Sequence, residues 1–381
     1  APNFGPRACQ ISGNILNQDI TLTNDITWVI EGKLGIGGDN ADPSVLRIEP
    51  GTLIVGSGDT FDHIAVSRGS KVFAEGTRNA PTVFTSPFEL PGSTQAAQAK
   101  DIGGFVISGN APANCNPNCT AEWDPTNKYG GTDATESSGV VRYMQVRYAG
   151  FIFTTNRELN SFTMNAVGSG TVLEYLQAYQ GGDDGIEFVG GTAKVKYFVD
   201  SCGGDDGIDW DEGFVGKVQY ALINQRGCAG QDHGFEVSNS PTNFDATPRS
   251  QPLIANVTLR GGGSGSRDAF NIKEGTGGNW WNVVATGFAR SCINIEGVAT
   301  TTAAGGPGAL TGVLTMNNAI IDCATNFRTG SGVATGYSQQ WFEGQSGNQA
   351  TALALDGFLP TAASPIGNKL FNPGNREFLD P

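Results

Sequence analysis

Short stretches in the first hundred residues alternate apolar and polar positions and are separated by Gly-Thr, Gly-Ser and Pro turns. Examples are "LRIEPGTLIVG" (46–56), "IAVSRGSKVFAEGT" (64–77) and "PTVFTSP" (81–87). Strands this short favour the coils of a parallel β-helix over a β-sandwich, whose strands are longer. The alternation predicts that the following side chains face the core: Leu46, Ile48, Leu53, Val55, Ile64, Val66, Val72 and Phe84.

A repeat becomes explicit after residue 139, and the string GGDDGI occurs twice within it, at 181–186 and 203–208. Four strands of this region align on Tyr143, Tyr175, Tyr197 and Tyr220, of which the last three are 22 and 23 residues apart. That spacing fits one coil, so equivalent residues are expected to stack about 4.8 Å above one another. The sequence therefore predicts an all-β protein, a right-handed parallel β-helix.

The turns of this region also align in columns. One column contains Asp184, Asp206, His233 and Asp268. Two residues on, Ile186, Ile208, Phe235 and Phe270 are predicted to face the core. The next column, predicted to face solvent, contains Glu187, Asp209, Glu236 and Asn271. Acidic residues of successive coils therefore form ladders along the helix.

The pattern is interrupted in two places. Residues 109–138 are rich in Asn, Pro, Gly and Thr and lack a strand pattern, which predicts a long external loop. The register is lost near the C-terminus. We predict one β-helix over 1–325, with the loop inserted, and a C-terminal cap of loops over 326–381, since solenoid ends need covering.

Composition narrows the partners. The net charge is −14 and 55 of the 381 residues are glycine. An acidic surface repels nucleic acid and anionic lipid, and no apolar run is long enough for membrane insertion. Cations, neutral surface glycans and self-association with further copies remain as partners.

Seven cysteines indicate an oxidising compartment. The predicted disulfides are Cys115–Cys119, Cys202–Cys228 and Cys292–Cys323. The first pair closes a polar turn, and the second pair precedes the same repeat feature in adjacent coils. Cys9 is left over, either as a free thiol or as a link to another chain.

The stacked carboxylates need something to offset their mutual repulsion, and calcium is the simplest candidate cofactor because it accepts six to eight oxygen ligands. One predicted site consists of Asp183, Asp184, Asp205 and Asp206. A second consists of Asp209, Asp211 and Glu212. The alternative is turn chemistry alone, since Asp-Gly is favoured in tight turns.

A catalytic interpretation comes from a resemblance. The order "DDGIEF", "DDGIDW", "DHGFEV", "NIKEG" resembles the active-site order of polygalacturonase-type glycoside hydrolases. The resemblance implies a catalytic constellation of Asp184, Asp205, Asp206, His233 and Lys273. Asn271 stands where that family has arginine, and Asp232 replaces the glycine before the histidine. A lyase with Lys273 or Arg267 as base is a further alternative.

Two adjacent tryptophans, Trp280 and Trp281, offer a glycan-binding surface. Neighbouring residues of a strand point to opposite faces, so one of the two rings is expected to face solvent and stack on sugars.

Longer segments, among them "LRIEPGTLIV", "DIGGFVISGNAPAN" and "TVLEYLQAYQGGDDGIEFVGG", resemble a family of secreted bacterial right-handed, pectin-lyase-like β-helix surface proteins. The resemblance covers roughly residues 40–240 and implies export to the extracellular space or the bacterial cell surface. The opening "APNFGPRACQ" is expected to be an end left by leader cleavage. Ala1 stands where lipoprotein members carry a lipidated cysteine, which favours release or non-covalent attachment.

Two functions follow from these patterns. The first is a secreted structural or adhesive surface protein, stabilised by calcium, that self-assembles or binds glycan. The alternative is a polysaccharide-degrading hydrolase, or less favourably a lyase, that uses the stacked Asp and His residues.

Overall fold

The computed structural model describes residues 4–5, 7–58, 61–117, 119–154, 157–228, 230–306, 309–353, 355–356 and 359–360. The chain divides into two compact units. Unit 1 comprises Ala1–Lys194 and Gly203–Asp205, and unit 2 comprises Val195–Cys202 and Asp206–Pro381. Both are right-handed parallel β-helices, as the sequence predicts.

Unit 1 is built almost entirely from short strands. They are β1 (Ala8–Ile15), β2 (Asp19–Leu22), β3 (Thr27–Ile36), β4 (Val45–Ile48), β5 (Leu53–Gly56), β6 (His63–Val66), β7 (Lys71–Glu75), β8 (Thr82–Thr85), β9 (Gly104–Ser108), β10 (Gly139–Arg147), β11 (Ile152–Thr154), β12 (Arg157–Glu158), β13 (Phe162–Asn165), β14 (Val172–Tyr179) and β15 (Ile186–Val189). A 3-10 helix spans Pro87–Glu89.

The strands of unit 1 pair in parallel from coil to coil. One stack runs β2–β4–β7, a second β3–β5–β8, and a third β6–β9–β13–β15. The long strand β10 pairs with β7 through its first half and with β8 through its second half. Strand β14 then pairs with β10 along its whole length. Consecutive coils therefore lie directly on one another.

The predicted inward positions of unit 1 are buried, with one exception. Leu53 is half-buried, and its neighbour Ile54 takes the core position instead. The cause is the preceding turn, where the buried Thr52 hydroxyl donates to the carbonyl oxygen of Glu49 at 2.8 Å. Because side chains alternate along a strand, an inward Thr52 places Ile54 in the core, in register with Phe84.

Residues 109–138 contain no strand among those that the structure describes. The Cys115–Cys119 disulfide closes the predicted turn. Trp123 and Tyr129 anchor the segment, and both side chains are buried. Trp123 packs in a cluster with Ala65, Val106 and Leu159 from the coils, so the segment contributes to the packing of unit 1.

Unit 2 has longer strands. They are β16 (Lys194–Ser201), whose first residue belongs to unit 1, β17 (Ile208–Asp211), β18 (Lys217–Asn224), β19 (Phe235–Val237), β20 (Leu253–Gly263), β21 (Asp268–Ile272), β22 (Gly278–Phe288), β23 (Ser291–Ile295), β24 (Leu314–Asp322), β25 (Phe327–Thr329), β26 (Gln349–Ala350), β27 (Leu355–Asp356) and β28 (Leu359–Pro360). The helices are α1 (Val298–Ala303) and α2 (Tyr337–Glu343).

Two parallel stacks form most of unit 2, β18–β20–β22–β24–β26 and β17–β19–β21–β23–β25. The second stack confirms the columns of the sequence within this unit. Ile208, Phe235 and Phe270 are in register, and Asp209, Glu236 and Asn271 occupy the next column. The Phe235 and Phe270 rings stack with centroids 5.3 Å apart in the core. The disulfides Cys202–Cys228 and Cys292–Cys323 are both present, as predicted.

Most of the long strands contain a non-glycine residue with left-handed backbone geometry. In unit 1 these residues are Tyr143 and Tyr175. In unit 2 they are Tyr197, Tyr220, Asn256, Asn282 and Asn318. A residue with a Cβ pays roughly 1–2 kcal/mol in this conformation. Stacking offsets the cost, because the Tyr143 and Tyr175 rings lie 4.3 Å apart and Asn282 Nδ2 donates to Asn256 Oδ1 at 2.6 Å.

The parallel pairing continues beyond residue 325, through β25 and β26. The segment predicted as a cap, 326–381, therefore contributes parallel strands as far as Ala350, and β27 and β28 follow as an antiparallel pair. Residues 361–381 lie outside the described residues, and a capping role stays a prediction. None of the described helices has the length and hydropathy needed to span a bilayer.

Candidate functional site

Three carboxylates of unit 1 form what we call the acidic turn cluster, Asp183, Asp184 and Asp205. Their nearest oxygens lie within 4.8 Å of one another. Glycine makes this stacking possible, since a Cβ on Gly204 would lie 2.8 Å from the Cα of Gly182. The GGDDGI repeat thus combines close backbone approach with carboxylates at equivalent places.

Further acids surround this cluster. Burial raises the pKa of Asp183 well above its usual range, and repulsion from Asp205, Glu187, Glu158 and Glu122 adds to the rise. Glu122 lies in the inserted segment. Its own pKa rises to about 7, because of burial and then repulsion from Glu158. The segment and the β11–β12 hairpin therefore bring carboxylates that the repeat pattern did not predict.

The carboxylates suit a hard cation such as calcium, which takes oxygen ligands in irregular geometry. Of the four predicted ligands, Asp183, Asp184 and Asp205 are grouped within unit 1, and Asp206 is grouped with Asp232 and His233 within unit 2. The second predicted site is regrouped, because Asp209 oxygens approach those of Asp206 and Glu236. Asp211 shares the outward-facing side of β17 with Asp209, and Glu212 follows in left-handed geometry.

Unit 2 contains a more elaborate arrangement, the histidine cluster. Its members are Asp206, Asp232, His233, Glu236, Asp268 and Arg290. His233 is only 3% exposed, and its backbone N–H donates to Asp206 Oδ1 at 2.7 Å. The ring Nδ1 lies 2.9 Å from the same oxygen. On the other side, Nε2 lies 2.9 Å from Arg290 Nη2.

These contacts define the imidazole state. A guanidinium can only donate, so Nε2 accepts from Arg290 and Nδ1–H donates to Asp206. Burial lowers the pKa of His233, but the hydrogen bond and charge of Asp206, with Asp232 and Glu236, outweigh it and raise the pKa. Protonation at Nε2 would set two N–H donors against each other and break the Arg290 contact.

The remaining charges of the cluster are paired. Arg290 and Ser291 both donate to the fully buried carboxylate of Asp268. Lys273 lies 2.7 Å from Glu236, and this ion pair lowers the pKa of Glu236 although burial alone would raise it. The predicted base Lys273 is therefore held by a carboxylate, and its pKa is raised.

The members of the predicted catalytic constellation fall in both units. Asp206 and His233 are in contact, whereas Lys273 pairs with Glu236, and Asp184 and Asp205 lie in unit 1. Asn271 stands where the polygalacturonase-type hydrolases that the sequence resembles have arginine. Arg290 supplies a guanidinium to the histidine instead. Arg290 directly precedes Ser291, which is in register with Asp268. This place beside the aspartate column was the sequence signal that could have identified Arg290.

A small cleft of about 190 Å³ lies beside this cluster, and we call it the Phe244 cleft. Phe244 lines it with 45% of its surface exposed, together with Lys273, Glu274 and Glu296. Burial raises the pKa of Glu274, opposed by Lys273 and assisted by Glu236 and Glu296. An exposed ring beside carboxylates can stack on a sugar and accept hydrogen bonds from its hydroxyl groups.

The tryptophan pair is divided between the two faces of β22. Trp280 is fully buried, and its ring stacks on Trp210 with centroids 5.2 Å apart. It is therefore not accessible to a glycan, contrary to the inclusion of both rings in the predicted surface. Trp281 lies on the outer face and is half-buried against Leu253 and Ala255.

Strand β1 offers a different kind of site, the open edge of β1. Its side chains are mostly exposed, and β3 is its one partner among the described strands. Arg7 C=O accepts from Thr27 N–H, so alternation directs the N–H and C=O of Gln10 away from β3. Cys9, on the same strand, has an exposed free thiol.

Comparison with known proteins agrees with this architecture. The model of a family described as "Pectate-lyase like beta helix domain" matches residues 13–353. The chain belongs to this family. No curated protein and no solved structure matches this chain. The family match accounts for the coils.

Proposed function

We propose that this pectate-lyase-like β-helix protein is an extracellular structural or adhesive protein of the bacterial cell surface that associates with its own copies. The open edge of β1 carries the proposal. An unpaired strand edge presents backbone donors and acceptors that another strand can satisfy, and natural proteins usually shorten, charge or cover such edges. Strand β1 is eight residues long, and none of its residues is charged.

The partner is a strand of a second copy, added in the manner of β-augmentation. Such a contact joins two different surfaces of the chain, so it propagates into an open filament instead of closing into a dimer. The exposed Cys9 thiol lies on the same strand and is placed to form a disulfide between copies once the edge is occupied.

An extracellular location is supported by the three disulfides, which persist in oxidising compartments. Calcium is the proposed cofactor and would be held by Asp183, Asp184 and Asp205. These oxygens are grouped and repel one another without a cation. Calcium would supply charge neutralisation and fix the turn.

Surface glycan is the second proposed partner. The Phe244 cleft and the half-buried Trp281 are the two aromatic surfaces that support it. Aromatic faces stack on neutral sugar rings, so this contact does not require a charged glycan, and an acidic protein would repel an anionic one.

The test is the mass distribution of Gln10→Pro against Gln10→Thr, by light scattering and negative-stain microscopy in reducing buffer. Proline removes the outward N–H, whereas threonine retains it and loses the same side-chain contact with Glu31. We expect filaments from the wild type and Gln10→Thr and short particles from Gln10→Pro. Equal assembly of both variants, or particles alone from the wild type, would refute the role of β1.

A hydrolase or lyase is the second candidate, and the contact between Asp206 and His233 favours it. Against it, the imidazole is buried and both ring nitrogens are engaged. The measurement is the release of new reducing ends from neutral and acidic polysaccharides by the wild type and Asp206→Asn. Cleavage that disappears in Asp206→Asn would establish catalysis, and the absence of cleavage on all substrates would exclude it.

A further inference from the structure

A second cavity of unit 2 has the opposite electrostatic character to the rest of the chain. It has a volume of about 360 Å³, within the range of small-molecule sites. Its polar wall is formed by Arg226, Arg260 and Thr286, and its apolar lip by Leu353 and Leu355. Two guanidiniums thus line one cavity in a protein whose net charge is −14.

The two arginines lie close enough to oppose each other. Burial lowers the pKa of Arg260, and repulsion from Arg226 lowers it further. Arg226 is exposed, and no ion pair joins it to another residue in the described part of the chain. The turn that carries it is tied down two residues later by the Cys202–Cys228 disulfide. Placing two like charges together costs free energy, which an anion between them would recover.

The floor of the cavity is backbone. Gly261, Gly262 and Gly263 line it, with Gly287 from the next coil. Gly263 and Gly287 have φ of 73° and 78°, and no Cβ covers the peptide groups at these places. Bare peptide N–H groups beside arginines are a frequent environment for oxyanions.

Behind this floor lies a polar side chain without a partner. Gln231 is 4% exposed, and neither its Oε1 nor its Nε2 has a hydrogen-bond partner among the described residues. A Cβ on Gly262 would lie 2.7 Å from Gln231 Oε1, so the amide directly adjoins the cavity wall. A buried amide with unmet hydrogen bonds indicates a site that a polar ligand or its water completes.

We propose that this cavity binds a small oxyanion, a carboxylate, sulfate or phosphate group, between Arg226 and Arg260. Two guanidiniums offer the paired N–H donors that such groups accept. The group comes either from a free inorganic ion or from an acidic sugar, whose ring would lie on Leu353 and Leu355. The site is independent of the open edge of β1.

The test is isothermal titration calorimetry of the whole chain at fixed ionic strength with phosphate, sulfate, glucuronate and neutral glucose. We expect the anions to bind saturably with a Kd in the millimolar range or below, and a Kd of 1 mM corresponds to a binding free energy of about −4 kcal/mol. We expect no binding of glucose. Preference for glucuronate over both inorganic ions would assign the site to an acidic sugar. Preference for phosphate or sulfate would assign it to the free ion.

Variants test the residues. Arg226→Gln is expected to weaken binding at least tenfold, whereas Arg47→Gln, the same change on an exposed arginine of unit 1, should leave it unaltered. Thr286→Glu, which puts a carboxylate into the cavity, should abolish binding. Thr286→Gln, whose side chain has the same shape as glutamate but no charge, should retain it. Melting curves verify that each variant folds. Absence of binding by every anion, or binding unaffected by both Arg226→Gln and Thr286→Glu, would overturn the proposal.

Discussion

His63 of unit 1 allows a quantitative prediction of how stability depends on pH. Its ring is fully buried at the start of β6, where Nδ1 lies 2.9 Å from the carbonyl oxygen of Phe61. Trp123 of the inserted segment packs its ring edge-on at 4.7 Å and closes the site to water. Nε2 has no hydrogen-bond partner among the described residues. The imidazole is therefore held neutral.

The magnitude follows from the pKa. Burial, assisted by the charge of Lys33, lowers the pKa of His63 from 6.5 to about 4. As pH falls below 6.5 the unfolded chain takes up a proton that the folded chain refuses, so stability is lost between pH 6.5 and about 4. At about 1.4 kcal/mol per pKa unit, the full loss is about 3 kcal/mol. Above pH 6.5 both states are neutral and His63 contributes no pH dependence.

The assay is urea denaturation, followed by tryptophan fluorescence, of the wild type and His63→Phe across this pH range. Phenylalanine retains the aromatic volume and cannot titrate. The lost contact with Phe61 produces an offset that is the same at every pH, and carboxylate titrations cancel in the difference. We expect the stability of the variant relative to the wild type to rise by about 3 kcal/mol from pH 7 to pH 4. A difference that is constant with pH would refute the assignment.

Three further predictions concern Asn282, the acidic turn cluster and the Phe244 cleft. Asn282→Ala should lower the free energy of unfolding by about 1–2 kcal/mol in urea denaturation, because alanine tolerates left-handed geometry poorly and loses the bond to Asn256; an unchanged midpoint would contradict this. EGTA should lower the melting temperature of the wild type but not of Asp183→Asn, and an equal response of both proteins would exclude the acidic turn cluster. Phe244→Ala should weaken retention on immobilised neutral glycan about tenfold relative to Phe244→Tyr, by loss of stacking; equal retention would argue against the cleft.

Much of the fold is predictable because equivalent positions of successive coils carry similar residues in the sequence. Tyr143 and Tyr175 have the same left-handed backbone geometry in successive coils. Phe235 and Phe270 occupy the same inward position in successive coils. Leu53 escaped this logic because the buried Thr52 and Ile54 on either side of it occupy the core positions at this turn.

The candidate sites were less predictable, because their members come from different parts of the chain. Arg290 reaches His233 from 57 residues away, and Glu122 reaches the surroundings of Asp183 from the inserted segment. Neither residue belongs to the GGDDGI repeat that attracted attention to the turns. Adjacency in sequence predicts that Trp280 and Trp281 lie on opposite faces of the strand, but not which of the two is buried. In the structure Trp280 is the buried one.

Insertion of residues 109–138 has a consequence for engineering. Strand β10 resumes pairing with β7 and β8 as though the intervening segment were absent, so the coil register does not depend on the length of that segment. Foreign peptides could accordingly be displayed there without rephasing the helix, provided that Trp123 is retained. Its indole covers His63, and a graft that removes it would admit water to the imidazole and relieve the burial that lowers the pKa of His63.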